Sequence, residues 1–465
     1  MGKRLVSTIG VLSFFIYTAA AQERVLSIDE LFQLADQNSK SIQLHSLAID
    51  ETTQAVEVAK NAKLPSIRAQ VDLNYIGDGC MTDRDFSNGI HADMPHFGNS
   101  FVLKASQTIY AGGSINANIQ KAKLQQQLAQ QTYQNNQQDL RFMLLGYYLD
   151  LFQLRNQQTV YEKNIEQTHL LVKDMRAAYQ QGTALKSDIT RYELQLQNLQ
   201  LGLTSTINRL NVLNHKLTTT IGLAPSVHIV PDSTALFRIN VDKQQEMTWM
   251  EASQESPELQ QAHTEIKLTH NQQNLIRSER RPHISLTATN EFNGPILIEV
   301  PPLNNNFNYW FAGVGISYNL DALFKSKKKL KQARIATSKA EKNYQLVKEK
   351  IENKVHEAYV NLNEAYVRLQ TQQKSVQLAH ENFRIVRQRY LNGLSLITDM
   401  LDASNMQLDM ELQLANYQIG ILYQYYLLKK NYGNTLMNFI FTQKQKYMMR
   451  NKKELFRISL YCWSS

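Results

Sequence analysis

The chain lacks most of what enzymes and disulfide-stapled proteins depend on. Of its 465 residues only two are cysteine, Cys80 and Cys462, too few for a disulfide framework. They fall in segments expected at different levels of the fold, so no bridge between them is expected. There is no H-E-x-x-H, no G-x-S-x-G and no Gly-Lys-Ser/Thr phosphate loop. The 11 histidines are scattered, and His356-Glu357 has no ligand four residues on. The reading is therefore no enzyme, no catalytic residue, no cofactor and no metal. Proline is absent from Ser114 to Tyr179, so nothing there interrupts a helix. The apolar run Ile9–Tyr17 is too short to cross a bilayer as a helix, which takes roughly 20 residues.

Charge of one sign is also scarce in the body. Of the formal +9, Lys3 and Arg4 carry +2 and residues 438–465 carry +5, which leaves +2 for the rest. A nearly neutral body argues against a nucleic-acid groove. The basic tail reads as a solvated extension or as a contact with anionic lipid or cell-wall polymer. Lys3 and Arg4, the apolar run and Ala19-Ala20-Ala21 read as a secretory signal over residues 1–21. No cysteine stands at the cleavage point, so no lipid anchor is expected there.

What is present is a duplication. Ala35–Pro65 aligns with Ala252–Pro282 at an offset of 217, with Ser39 on Ser256 and Pro65 on Pro282. Further on the offset is 211: Ala111 on Ala322, Tyr179 on Tyr390, Gly182 on Gly393, Asp188 on Asp399. The first half therefore has six extra residues between Pro65 and Ala111, where a loop tolerates them. Each half reads as leading helices (22–66, 247–283), a strand hairpin (67–110, 284–320) and a long helical hairpin (111–222, 321–436). A linker, 223–246, joins the halves and a tail, 437–465, follows.

Four segments alternate with period two. Ile67, Ala69, Val71, Leu73 and Tyr75 alternate with polar residues after Pro65, and Phe101, Leu103, Ala105 and Ile109 do so less cleanly. Ile284, Leu286, Ala288 and Phe292 follow Pro282, and Trp310 to Leu320 completes the set. Each run has the length that crosses a bilayer as a tilted strand. A soluble sandwich would need a second sheet, which the polar flanking helices do not supply. Four strands cannot close a barrel, and an open edge in lipid leaves backbone groups unsatisfied. Other copies must close it, and three copies give twelve strands. The loops 76–100 and 294–308 would face outside. His91, Asp93 and His96 with Asp83 and Asp85 suggest a metal site on paper, but no recognised ligand spacing supports it, and a solvated loop is expected.

The helices between are long, rich in glutamine and thin in apolar seam. Leu140, Leu144, Tyr147, Tyr148 and Leu151 form one stripe. The seam wanders from a strict heptad, which favours a cylinder of helices around a wet bore. A soluble periplasmic coiled-coil scaffold is the alternative. It leaves the signal and strands unexplained, and membrane fractionation separates the two.

Three motifs carry a resemblance. Leu64-Pro65-Ser66-Ile67 and Arg281-Pro282-His283-Ile284 resemble helix-to-strand turns of the TolC-type outer-membrane efflux proteins. Gln107 to Gly113 followed by Ala122 resembles their strand-to-helix exit. Tyr390, Gly393, Ile397, Asp399, Leu401, Asp402 and Ala403 resemble their second periplasmic tip. The resemblance, over about 27–436, implies a mainly α fold with a small transmembrane β part: a homotrimer, a 12-stranded barrel in the outer membrane, and a helical barrel extending into the periplasm. It implies docking to a periplasmic adaptor (membrane fusion protein) and an inner-membrane RND or ABC pump, as the exit duct of an efflux or type I secretion system. It also implies gate roles for Tyr390, Asp399, Asp402, Asp188 and Tyr179, and turn or adaptor-contact roles for Gly182, Gly393 and Ser395. Some members have an arginine where this chain has Ser395; Lys186, Arg191 and Arg389 are candidates to replace it.

Both cysteines are expected to be free thiols. Alkylation of the denatured, unreduced protein should add one label per cysteine by intact mass; an unlabelled pair would show a bridge.

Overall fold

The computed structural model describes residues 22–232, 246–299 and 302–431. The signal 1–21, part of the linker 223–246 and the tail with Cys462 lie outside them. In chain order the elements are β1 (Gln22–Leu26), α1 (Ile28–Asn38), α2 (Lys40–Lys60), β2 (Ser66–Tyr75), β3 (Gly79–Met81), β4 (Ile90–Ala92), β5 (Phe97–Ala111), α3 (Ser114–Gln180) and α4 (Lys186–Ile221). Then come β6 (Val227–Pro231), α5 (Glu246–Ser253), α6 (Pro257–Ser278), β7 (His283–Gly294), β8 (Phe307–Ser317), α7 (Ala322–Leu391) and α8 (Ile397–Asn431). The chain forms two compact units. One comprises Leu44–Asn135 and Glu255–Lys350; the other is built from Gln43 and the residues before it, Asn136–Gln254 and Ile351 onward.

The first unit holds the sheet β2-β5-β7-β8, antiparallel throughout. Its register joins the apolar positions into one face. Ala69, Leu103, Asn290 and Trp310 form one rung; Ile67, Ala105, Ala288 and Ala312 form the next; Val71, Phe101, Phe292 and Asn308 lie on the other side. The opposite face is polar over most of β2, β5 and β7, with Arg68 directly across from Lys104 and Gln70 across from Val102 and Glu291. In β8 it carries Phe307, Tyr309 and Phe311, and the first two stack with centroids 5.4 Å apart. Every residue of β2 and of β8 is exposed. These are the two edge strands, and their outer hydrogen-bonding groups have no neighbour in the sheet. Proline sets where β2 and β7 start, since Pro65 and Pro282 stand just before them. Gly112 turns β5 into α3 at φ 64°; a Cβ there would lie 2.5 Å from the Ser278 carbonyl oxygen. Some of the glutamine that reads as wet in sequence joins helices instead. Thr264 donates to Gln131 (2.9 Å) and Gln273 donates to Thr337 (2.6 Å), both buried.

The second unit corrects one expectation. Residues 22–66 read as helix, yet the first five form β1, which pairs in parallel with β6. A five-residue strand whose partner lies some 200 positions away leaves no local pattern. Two side chains hold this small sheet, and a third ties α1 to α3. Asn214 on α4 clamps β6, donating to the Val227 carbonyl and accepting from the Ile229 amide, both at 2.8 Å. Tyr148 on α3, fully buried, donates to the Leu26 carbonyl (2.7 Å) and accepts from the Asp232 amide (2.8 Å). Arg141, also buried, forks onto Asp36 of α1 through Nε and Nη2 and lies over Phe32, 5.8 Å from its ring centroid.

Burial pushes the Tyr148 phenol up to about 12. A raised acid favours the protonated fold, so this contribution is full below the ordinary tyrosine value of ~10 and is lost as pH climbs through the raised one. The Asp232 amide also donates to the Leu26 carbonyl (3.2 Å), so Tyr148→Phe strands neither partner and should cost about 1 kcal/mol, read as faster hydrogen exchange at Asp232; unchanged exchange would show that the hydroxyl contributes nothing.

Candidate functional site

The two helical-hairpin tips lie in the second unit and are built alike. α3 ends where the Gly182 amide donates to Tyr179 O (3.0 Å) and the Thr183 amide to Ala178 O (2.9 Å). α7 ends where Gly393 donates to Tyr390 O (2.9 Å) and Leu394 to Arg389 O (2.8 Å). This is the left-handed glycine stop, with φ of 76° and 71°. Nothing lies within 4 Å of a Cβ built on either glycine. The conformation alone requires glycine there.

The return helices are capped alike too. Asp188 and Asp399 stand third in α4 and α8. Asp188 Oδ2 accepts from the Leu185 amide (3.4 Å) and Asp399 Oδ2 from the Leu396 amide (3.1 Å). Each carboxylate thus satisfies a free amide at its helix start and lies against the positive end of the helix dipole. Ser395 donates to the same Asp399 oxygen at 2.9 Å.

Above the turns the hairpins share an apolar cluster: Leu171, Val172 and Met175 of α3, Ile189 and Tyr192 of α4, Ile397 and Met400 of α8. Tyr390 packs on it, and its hydroxyl reaches Asp188 Oδ2 at 3.5 Å, so the second hairpin touches the first. Burial, then the Asp188 charge and this contact, raise the Tyr390 phenol above its ordinary value. A cleft of about 590 Å³ lies between the turns, lined by Asp174, Asp188, Arg387, Tyr390 and Ser395 among others.

The residues proposed from sequence divide here. Tyr390 and Asp188 meet; Asp399 and Ser395 meet; Tyr179 and Asp402 are exposed and join neither pair. Pro65 and Pro282 stand just before β2 and β7. Of the candidate cations, Arg389 donates to the Leu394 carbonyl at 3.4 Å, while Lys186 and Arg191 are exposed. Among the described residues no ion pair links these three to Asp188, Asp399 or Asp402. Sequence reasoning missed two residues. Arg387, two before Arg389, lines the cleft. Tyr192 is fully buried with an unpartnered hydroxyl; burial raises its pKa, nearby Tyr390 adds to that and Arg387 opposes it. Its spacing from Asp188, one helical turn, was the available signal.

No curated protein sequence matches the chain. Solved structures do. The outer membrane protein VceC of Vibrio cholerae superposes with a TM-score of 0.72 at 14% identity, over 87% of this chain and 96% of that one. A membrane protein from Pseudomonas aeruginosa gives 0.74 at 13% identity, covering 87% and 90%. The open state of the Neisseria gonorrhoeae MtrE outer membrane channel gives 0.70 at 15% identity, covering 88% and 89%. At such identities the likeness establishes the fold: a mainly helical chain with a small β part. The profile of the family described as outer membrane efflux protein matches residues 31–205 and 249–428, one block in each duplicated half. With most of its length matched, the chain belongs to the outer membrane efflux protein family, whose members are transport ducts of the outer membrane.

Proposed function

We propose that three copies of this chain close a twelve-stranded barrel in the outer membrane and continue as a helical conduit into the periplasm. The conduit would be the exit duct of a tripartite efflux or type I secretion system, taking substrate from a periplasmic adaptor and an inner-membrane RND or ABC pump. The observation that carries this reading is the sheet β2-β5-β7-β8 with one apolar face and two bare edges. In hydrocarbon each unsatisfied backbone group costs several kcal/mol, so edge β8 of one copy must meet edge β2 of the next. The domain boundaries given above are part of the same proposal.

The hairpin tips are proposed as the gate. Tyr390 donating to Asp188 holds one hairpin on the other within a copy. Asp399 and Asp402, repeated by threefold symmetry, place six carboxylates around a narrow mouth, and such a ring favours cations and binds divalent ions. Gly182, Gly393 and Ser395 shape the turns offered to the adaptor, and Tyr179 faces outward beside them.

Three results are expected. Purified in detergent, the protein should have the mass of a trimer and form channels in planar bilayers; a detergent-free monomer would defeat the reading. Asp399→Ala with Asp402→Ala should raise single-channel conductance and shift the half-blocking concentration of divalent cations upward by roughly tenfold; unchanged conductance and block would remove the acidic gate. Ionisation of Tyr390 sets it against Asp188. Because its pKa is raised, the contact is kept through the ordinary tyrosine range of ~10 and lost only above it. Channel opening should therefore rise in alkali in the native protein and be flat with pH in Tyr390→Phe.

A further inference from the structure

Among the described residues one cluster of metal-ligating side chains comes together. The ligand atoms of Asp78, His91 and Asp93 all lie within 4.8 Å of one another. The cluster sits in the segment between β2 and β5. On sequence alone Asp83 and Asp85 can be drawn as companions for the histidines, without a recognised ligand spacing, but the fold engages both elsewhere. Asp85 accepts from the Ser87 amide (3.1 Å) and hydroxyl (2.7 Å), which hold its carboxyl below the usual range. Asp83 accepts from Asn88 Nδ2 at 2.7 Å. Asp78 takes their place, because the β3–β4 hairpin sets Cys80 opposite His91 and so returns His91 to the start of the loop.

Asp78 and the neighbouring His96 are held in position. The Met94 amide donates to Asp78 Oδ1 at 3.2 Å. The His96 ring stacks on Tyr75, centroids 5.2 Å apart and planes 11° apart. His96 Nδ1 lies 3.0 Å from the Ile76 carbonyl oxygen. A carbonyl only accepts, so Nδ1 carries the hydrogen, and in the neutral ring Nε2 presents its lone pair. A backbone carbonyl orienting one imidazole nitrogen while the other faces outward is how proteins set a metal-ligating histidine.

Within and beside this group, imidazole nitrogens face carboxylate oxygens. His96 Nε2 lies 3.9 Å from Asp78 Oδ1; His91 Nε2 lies 3.9 Å from Asp78 Oδ2 and 3.4 Å from Asp93 Oδ1. The longer two exceed hydrogen-bond reach. A neutral imidazole lone pair facing a carboxylate oxygen is repelled unless a positive charge lies between them. Bond lengths of ~2.0–2.2 Å in a tetrahedral zinc site separate neighbouring ligand atoms by ~3.3–3.6 Å, which small side-chain rotations here would reach. Imidazole donors suit zinc, copper and nickel, whereas calcium and magnesium take oxygen alone.

We propose that Asp78, His91 and Asp93 bind a divalent transition-metal ion, zinc being the one this donor set fits best, and that His96, which lies 3.9 Å from Asp78 but outside this three-way group, turns in as fourth ligand. The ion would pin the β3–β4 hairpin to the ends of β2 and β5. The geometry is local to the loop and does not depend on the channel reading.

The test is calorimetric titration of zinc chloride into the untagged, chelator-stripped protein in detergent. It is run in the Asp399→Ala/Asp402→Ala background so that the tip carboxylates do not contribute. One zinc per chain is expected, with binding lost in His91→Ala, weakened at least tenfold in Asp78→Asn and in His96→Ala, and unaffected in Asp83→Asn/Asp85→Asn. Cobalt in place of zinc should give the visible absorption of a tetrahedral ion, and magnesium should not bind. Heat-dependent gel migration checks that each variant is folded. Absence of saturable zinc would overturn the site and leave protonated-histidine ion pairs as the reason for the cluster. Zinc binding that persists in both His91→Ala and His96→Ala would overturn it equally.

Discussion

A backbone amide or carbonyl has no partner in hydrocarbon except another backbone. The rest of the architecture follows from that constraint. The sheet satisfies its inner strands completely and leaves β2 and β8 bare on their outer sides. Its apolar face crosses all four strands without a helix over it, and the residues of both edge strands are exposed. A soluble protein with such edges would aggregate. A membrane wall with such edges is a segment of a larger ring, and duplication is a direct way to make one, since each half contributes one hairpin.

Duplication also explains why the tips look alike and act differently. The same local rules produce both: a glycine at positive φ stops the outgoing helix, and an aspartate three residues into the return helix caps it. Beyond that the halves diverge. Tyr390 turns inward onto the shared apolar cluster and reaches Asp188, while its twin Tyr179 points away. Asp399 finds Ser395, while Asp188 finds a tyrosine from the other hairpin. A symmetric pair of turns thereby becomes an asymmetric joint, with one hairpin resting on the other.

What the sequence disclosed followed from periodicity and punctuation. Alternating residues after Pro65 and Pro282 located β2 and β7, and the repeat of tyrosine, glycine and aspartate located both tips. The misses are all tertiary. β1 and β6 are short and pair across the chain, so neither has a pattern of its own. The glutamines of α3 read as wetted surface, yet Gln131 is buried against Thr264. Tyr192 and Arg387 looked like ordinary helix residues until packing set one in the cluster and the other in the cleft. Asp78 rather than Asp83 or Asp85 joins the histidines because a hairpin of two three-residue strands, invisible to spacing rules, decides which side chains meet.

One rung of the sheet settles a matter of orientation. Arg68 and Lys104 face each other across β2 and β5, and like charges so placed repel. Only a medium of high dielectric constant makes that tolerable. Turned toward acyl chains, each cation would cost on the order of 2–4 kcal/mol near the bilayer midplane, with their mutual repulsion added. The wall therefore cannot be hung inside out, and two neighbouring cations tell the protein which of its surfaces belongs to water.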